Sequence, residues 1–201
     1  MTAIRLTAPT VHRRVVAVVL AAALSLLAAV GVVHAAAYDE VPEDYASYQP
    51  QTTCRKEARP GTVALAAWLN ARFDGGTATP SVRPCSSGGT SEHKDGRAID
   101  WTMDAGDEQD RLEVAALLER LFATDGGDNA HALARRMGIM YVIWNDRMYA
   151  SYDEFAREDY RSSSCPSLKK CSATLRHRDH VHISLSRPGG RGVTSWYAAE
   201  D

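Results

Sequence analysis

Ser91-Glu92-His93-Lys94-Asp95-Gly96-Arg97-Ala98-Ile99-Asp100 is the stretch on which the reading of this chain turns. Its first half is polar and holds Gly96, a residue free to take the left-handed conformation that a reversing backbone needs. Its second half opens an alternating run, 97–103. On a strand, that run puts Ala98, Asp100 and Thr102 on one face and Ile99 and Trp101 on the other. A carboxylate in such a strand is costly to desolvate unless it is paired, hydrogen-bonded or bound to a metal. The turn at Gly96 is placed to bring His93 back beside Asp100.

Far downstream, His177-Arg178-Asp179-His180-Val181-His182 supplies three imidazoles. On the strand predicted over 180–186, His180 and His182 project from the same face. Taken singly, His93 reads as an ordinary hydrogen-bonded histidine and Asp100 as a satisfied core carboxylate. As a set, His93, Asp100 and His182 make three ligands for one Zn2+. A fourth position is left for water, which is the layout of a catalytic rather than a structural zinc site.

Around these motifs the chain mixes helices and short strands without a regular βαβ rhythm, which predicts an α+β domain. A helix is expected over 60–73, with Pro60 in its first turn, Val63, Leu65, Trp68 and Leu69 as its apolar positions, and Gly75-Gly76 as its stop. A second, over 107–123, has an acidic first turn and the apolar set Leu112, Ala115, Leu118 and Phe122. A shorter helix is expected over 128–138 and a compact apolar strand over 139–144. Trp144 beside Asn145 reads as core packing, and His131, Lys169 and Lys170 receive no role. No Gly-rich phosphate loop and no Gly-x-Ser-x-Gly elbow is present in the sequence.

Arg13 and Arg14 precede an uncharged run over 15–33, and Val33-His34-Ala35 closes it with small residues at the positions a signal peptidase reads. The predicted organisation is therefore a signal peptide over 1–35, a linker or loosely attached arm over 36–53 and a folded domain over 54–197. An uncleaved membrane anchor is the competing reading of the leader; after cleavage no transmembrane segment is expected, and the domain is secreted. Without the leader and its Arg5, Arg13 and Arg14, 20 basic side chains face 25 acidic ones, a formal −5 against −2 for the whole chain. A surface of that sign repels phosphate backbones and argues against nucleic acid as a partner.

Four cysteines in an exported chain point to disulfides, with three possible connectivities. The favoured one is Cys54–Cys85, tying the start of the domain to the segment before the key motif, with Cys165–Cys171 closing a small polar loop. A zinc-binding cysteine set is the rival, and no C-x-x-C knuckle supports it.

Ser91-x-His93-x-x-Gly96-x-Ala98-x-Asp100 resembles, at every specified position, the S-x-H-x-x-G-x-A-x-D pattern of the zinc peptidases grouped as lysostaphin, D-Ala-D-Ala carboxypeptidase and Hedgehog-like. His180-x-His182 is similar to that group's second signature, and His177-x-x-His180-x-His182 to the penicillin-insensitive murein endopeptidases and to secreted actinobacterial domains of this type. The likeness implies a small antiparallel sheet with flanking helices, zinc on His93, Asp100 and His182, and a peptidoglycan or peptide substrate cleaved at an amide bond. By the endopeptidase pattern His180 is the general base. By the carboxypeptidase pattern the base is a Glu three residues before the last ligand, where this chain has the shorter Asp179. Of the two, His180 is favoured. Ser91, His177 and Arg83 are candidates for supporting a ligand or touching substrate, Ser91 alternatively for merely closing its loop and Arg83, as the favoured reading, for a solvated surface arginine. A non-catalytic zinc-bearing binding module on the same scaffold is the alternative reading.

Overall fold

A computed structural model describes residues 41–199; the expected signal peptide and its cleavage site lie outside the described residues. The helices are α1 (Pro60–Arg72), α2 (Glu108–Phe122), α3 (Ala132–Arg136), α4 (Arg187–Arg191) and α5 (Ser195–Ala199). The strands are β1 (Ala78–Thr79), β2 (Ala98–Trp101), β3 (Ile139–Trp144), β4 (Arg147–Ala150), β5 (Arg157–Asp159) and β6 (Val181–Leu185). Together they form an α+β arrangement on one six-stranded sheet of order β1-β2-β6-β3-β4-β5, every neighbouring pair antiparallel.

Alternation decides which face of the sheet does what. Ile99 and Trp101 of β2, Val181, Ile183 and Leu185 of β6 and Val142 of β3 point into the main core, where they meet Leu65 and Leu69 of α1 and Val114, Leu117 and Leu121 of α2. The intervening positions, Asp100, His182, Ser184 and Tyr141, turn to the other face. The two central strands therefore carry a hydrophobic anchor on one side and polar chemistry on the other.

The helices follow their sequence signals with three corrections. In α1, Val63 is half exposed and Thr62 is buried in its place. In α2, Asp107 caps the helix by accepting the Asp110 amide, but the buried stripe is Val114-Leu117-Leu121, and Leu112 of the expected set is 59% exposed. Two neighbouring apolar stripes run along that helix, and what it docks against selects between them. The expected 128–138 helix is confined to Ala132–Arg136 because Asp128 and His131 adopt left-handed backbone conformations (φ 61° and 53°). Asp125 folds this segment into a turn by accepting the Gly127 and Asn129 amides.

Residues 41–53 contain no helix or strand but are tied to the domain. Tyr45 bonds His131, the Ala46 amide donates to Ser151, and the Gln49 carbonyl accepts from Arg97. Disulfides join Cys54 to Cys85 and Cys165 to Cys171. Among the described residues no helix is long and apolar enough to cross a membrane.

Candidate metal centre

Antiparallel pairing of β2 with β6 sets Asp100 directly opposite His182. His93 arrives from the preceding turn, which is built from backbone bonds: the Lys94 amide donates to Ser91, Asp95 and Arg97 to Glu92, and Gly96 to His93. Gly96 sits at φ 69°, and a β-carbon there would lie 2.7 Å from the Glu57 carbonyl oxygen. Glycine is thus required twice, for conformation and for space. Just beyond it, the buried Arg97 guanidinium pairs with buried Asp95 at 3.0 Å and donates to the carbonyls of Leu185 and Gln49. One buried pair so binds the turn, β6 and the N-terminal arm together.

Three ligand atoms meet at the top of this arrangement. His93 Nε2 and His182 Nδ1 lie 3.1 Å apart, and each is 3.2 Å from Asp100 Oδ1. Ligand atoms bonded at about 2.0–2.1 Å to a tetrahedral zinc stand about 3.3 Å from one another, so the triangle has the size that ion requires. Among the described residues this trio is the group of His, Cys, Asp and Glu side chains able to hold a metal. The donor chemistry agrees with its size. His93 Nδ1–H donates to the Ser81 carbonyl at 3.0 Å. A carbonyl only accepts, so Nε2 presents its lone pair to the centre. Asp100 keeps Oδ2 for the Ser81 hydroxyl, which donates at 3.1 Å, and for Arg83 at 3.7 Å. Three such atoms this close together could hold a cation between them.

The electrostatics favour an ionised Asp100 and a neutral His182. Burial alone would raise the Asp100 carboxyl, but the adjacent His182 and His93 imidazoles outweigh it and hold the group far below the ordinary carboxylate range. Burial pushes His182 below the usual imidazole value despite its Asp100 partner. His177 is pushed down to about 3, first by burial and then by the neighbouring His182 and His180.

The other residues singled out in the sequence fall around one cleft of about 680 Å³, lined by Arg83, Ser91, His93, His177, His180 and His182 among others. Nδ1–H of His180 donates to Asp179 Oδ1 at 2.7 Å, while its Nε2 faces Asp100 Oδ1 from 3.8 Å. The second Asp179 oxygen accepts from the Thr174 hydroxyl. Arg83 is half exposed at the cleft wall. Ser91 joins the turn through its backbone, while His177 packs its ring on His180 and His182 and leaves Nδ1 without a hydrogen-bond partner.

Four residues that sequence reasoning passed over support the trio: Ser81, Ser184, Tyr141 and Glu92. Ser184 was accessible, since it lies two positions beyond His182 on the same strand face, and its Oγ is 2.8 Å from His182 Nε2. Tyr141 and Glu92 give no local signal; only the β3–β6 register and the Gly96 turn bring them together, with the Tyr141 hydroxyl donating to Glu92 at 2.6 Å.

Residues 54–165 match a family model described as VldE, C-terminal domain. No curated protein and no solved structure matches the chain.

Proposed function

The chain belongs to the VldE C-terminal-domain family, and we propose that it is a zinc-dependent hydrolase of amide bonds, acting on peptidoglycan stem peptides or cross-links, with a fold of the Hedgehog/D-Ala-D-Ala-peptidase kind. The observation that carries the proposal is the near-equilateral triangle of His93, Asp100 and His182, of which His93 and His182 line an open cleft. Asp100 keeps 25% of its side chain exposed, and the more enclosed His93 and His182 border the cleft in which a substrate would lie.

Zinc bound there would supply Lewis-acid activation of a water and of the scissile carbonyl. The chain's own contribution is proton handling and orientation. Asp179 holds the Nδ1 proton of His180, which fixes the tautomer and aims the basic Nε2 toward the triangle. His180 takes the proton of the attacking water and returns it to the leaving amine. In this division of labour Asp179 orients and His180 reacts. Arg83, beside Asp100, is placed to meet a substrate carboxylate. The disulfides indicate an oxidising compartment, and secretion to the cell wall is part of the same reading.

Incubating the purified domain with sacculi or muropeptides tests the proposal. Zinc-dependent release of new amino groups, absent in Asp100→Ala, is expected. A wild-type protein that binds zinc in equimolar amount yet releases none would instead support the zinc-bearing binding module. No metal uptake at all would overturn the site.

A further inference from the structure

At the β5 edge of the sheet a second pocket, of about 350 Å³, opens between the last two strands and the segment that carries Arg178. Trp144 pairs with Arg147 across β3–β4, and Arg147 pairs with Asp159 and Tyr149 with Arg157 across β4–β5. Residues opposite one another in an antiparallel ladder share a face, as do residues two apart on one strand. These five side chains therefore stand together. Trp144 lies in the main core and Tyr149 packs against it, whereas Ile143, paired with His182, turns to the other side of the sheet. The pocket is thus on the face away from the proposed metal centre.

Its cations outnumber the acids that could match them. Asp146 is taken by Arg176 through two hydrogen bonds, of 2.9 and 2.6 Å, and Arg178 reaches the same carboxylate only at 3.8 Å. Arg147 pairs with Asp159, whose side chain is 91% exposed, and a pair so open to water is held weakly. Arg157 is exposed and makes no ion pair among the described residues. Glu158, paired with Met148, points to the opposite face. Arg147, Arg157, Arg176 and Arg178 so stand against Asp146 and Asp159 alone on this face, a local surplus of positive charge in a chain that is formally −2. Charge of one sign gathered around a concavity focuses its field on ions of the other.

We propose that this pocket binds an oxyanion, the phosphate or carboxylate group of a ligand, on Arg147, Arg157 and Arg178. Guanidinium forks match the oxygen spacing of both groups, and the bonds they make are charge-assisted. Four guanidinium groups against two carboxylates leave two positive charges, so a phosphomonoester or a dicarboxylate fits the pocket better than a single carboxylate does. The site stands apart from the zinc reading and does not depend on it.

Calorimetric titration of the purified protein with inorganic phosphate and, separately, with succinate tests this, against sodium chloride at equal ionic strength and with backbone-amide NMR to locate the ion. Wild type is compared with Arg157→Gln, Arg178→Gln and, as a charge-matched control ahead of α1, Lys56→Gln. Expected is saturable binding, with amide shifts gathered at residues 144–149, 157–159 and 176–178. Either arginine substitution should weaken it about tenfold, and Lys56→Gln should leave it unchanged. The tighter of the two probes identifies the acidic group of the ligand. Exposed Arg157 is tied to no partner, so its variant should melt with wild type, which separates lost binding from lost folding. Binding that survives both arginine substitutions, or shifts gathered instead around His93 and His182, places the ion elsewhere and overturns the site. A response to both probes no greater than that to chloride overturns it too.

Discussion

His180 and Asp179 are neighbours in sequence with opposite situations in space. The imidazole is enclosed and faces Asp100, whereas the carboxylate is 45% exposed and is engaged by Thr174 and His180. Burial would raise the Asp179 carboxyl, but the Thr174 hydrogen bond and then His180 hold it below its ordinary value, so it stays ionised and a weak base at neutral pH. On the proposed reading the proton acceptor is then the histidine, whose Nε2 faces Asp100. His180→Ala is expected to lower kcat by about 10²–10⁴-fold while zinc content stays near wild type. Asp179→Asn should reduce kcat by a smaller factor, because His180 remains and loses only its orienting partner. Steady-state kinetics with metal analysis on both variants checks the order. A larger loss in Asp179→Asn would assign the base to the carboxylate.

Between residue and fold, the Gly96 turn and strand β2 act as one element, and the buried Asp95–Arg97 pair locks it in place. The Thr53 amide and hydroxyl both donate to Asp95, so the pair is also hydrogen-bonded. Truncating one partner leaves the other charge buried: Arg97→Ala is expected to cost about 3–5 kcal/mol, and a double Asp95→Asn, Arg97→Met variant much less. Hydrogen bonds from Thr53 and Arg97 overcome the upward push of burial and lower the folded Asp95 pKa. Its contribution is thus complete above the unfolded value of about 4 and is lost as pH falls through the lower folded value. Denaturant melts of both variants at pH 7 and pH 3 should show the Arg97→Ala deficit shrinking in acid. At this scale the sequence was legible where a local signal and the tertiary demand agree, as at the acidic first turn of α2, the Gly96 reversal and the alternation of β2 and β6. It was illegible at β1 and β5, two and three residues long, which pairing alone defines. The β3–β4 hairpin stood between: Asn145-Asp146, both at positive φ, is a two-residue turn whose composition was readable. The site trio was visible because ligand types recur at fixed spacing, whereas Glu92 and Tyr141 depend on a contact across 49 residues.

On the scale of the whole molecule, the two disulfides do different work. Cys54–Cys85 spans 31 residues and Cys165–Cys171 only 6. Restricting the unfolded chain, an effect that grows with the logarithm of loop length, gives about 3.7 and about 2.2 kcal/mol respectively. For a domain of this size each kcal/mol moves the melting temperature by about 2–4 °C, so Cys54→Ser with Cys85→Ser should melt about 10 °C below wild type. Position adds a second distinction. The Cys85 carbonyl accepts from Lys94, the neighbour of His93, so the long crosslink also supports the turn that carries His93. Cys165 instead follows Ser162, Ser163 and Ser164, which line the cleft wall. Opening the long bridge is therefore expected to weaken zinc binding along with stability. Opening the short one, by Cys165→Ser with Cys171→Ser, should raise KM with zinc affinity preserved. Melting curves, zinc titrations and KM measured on the two paired variants separate these roles. Equal losses of zinc from both would mean that the cleft wall and the metal turn are a single cooperative unit.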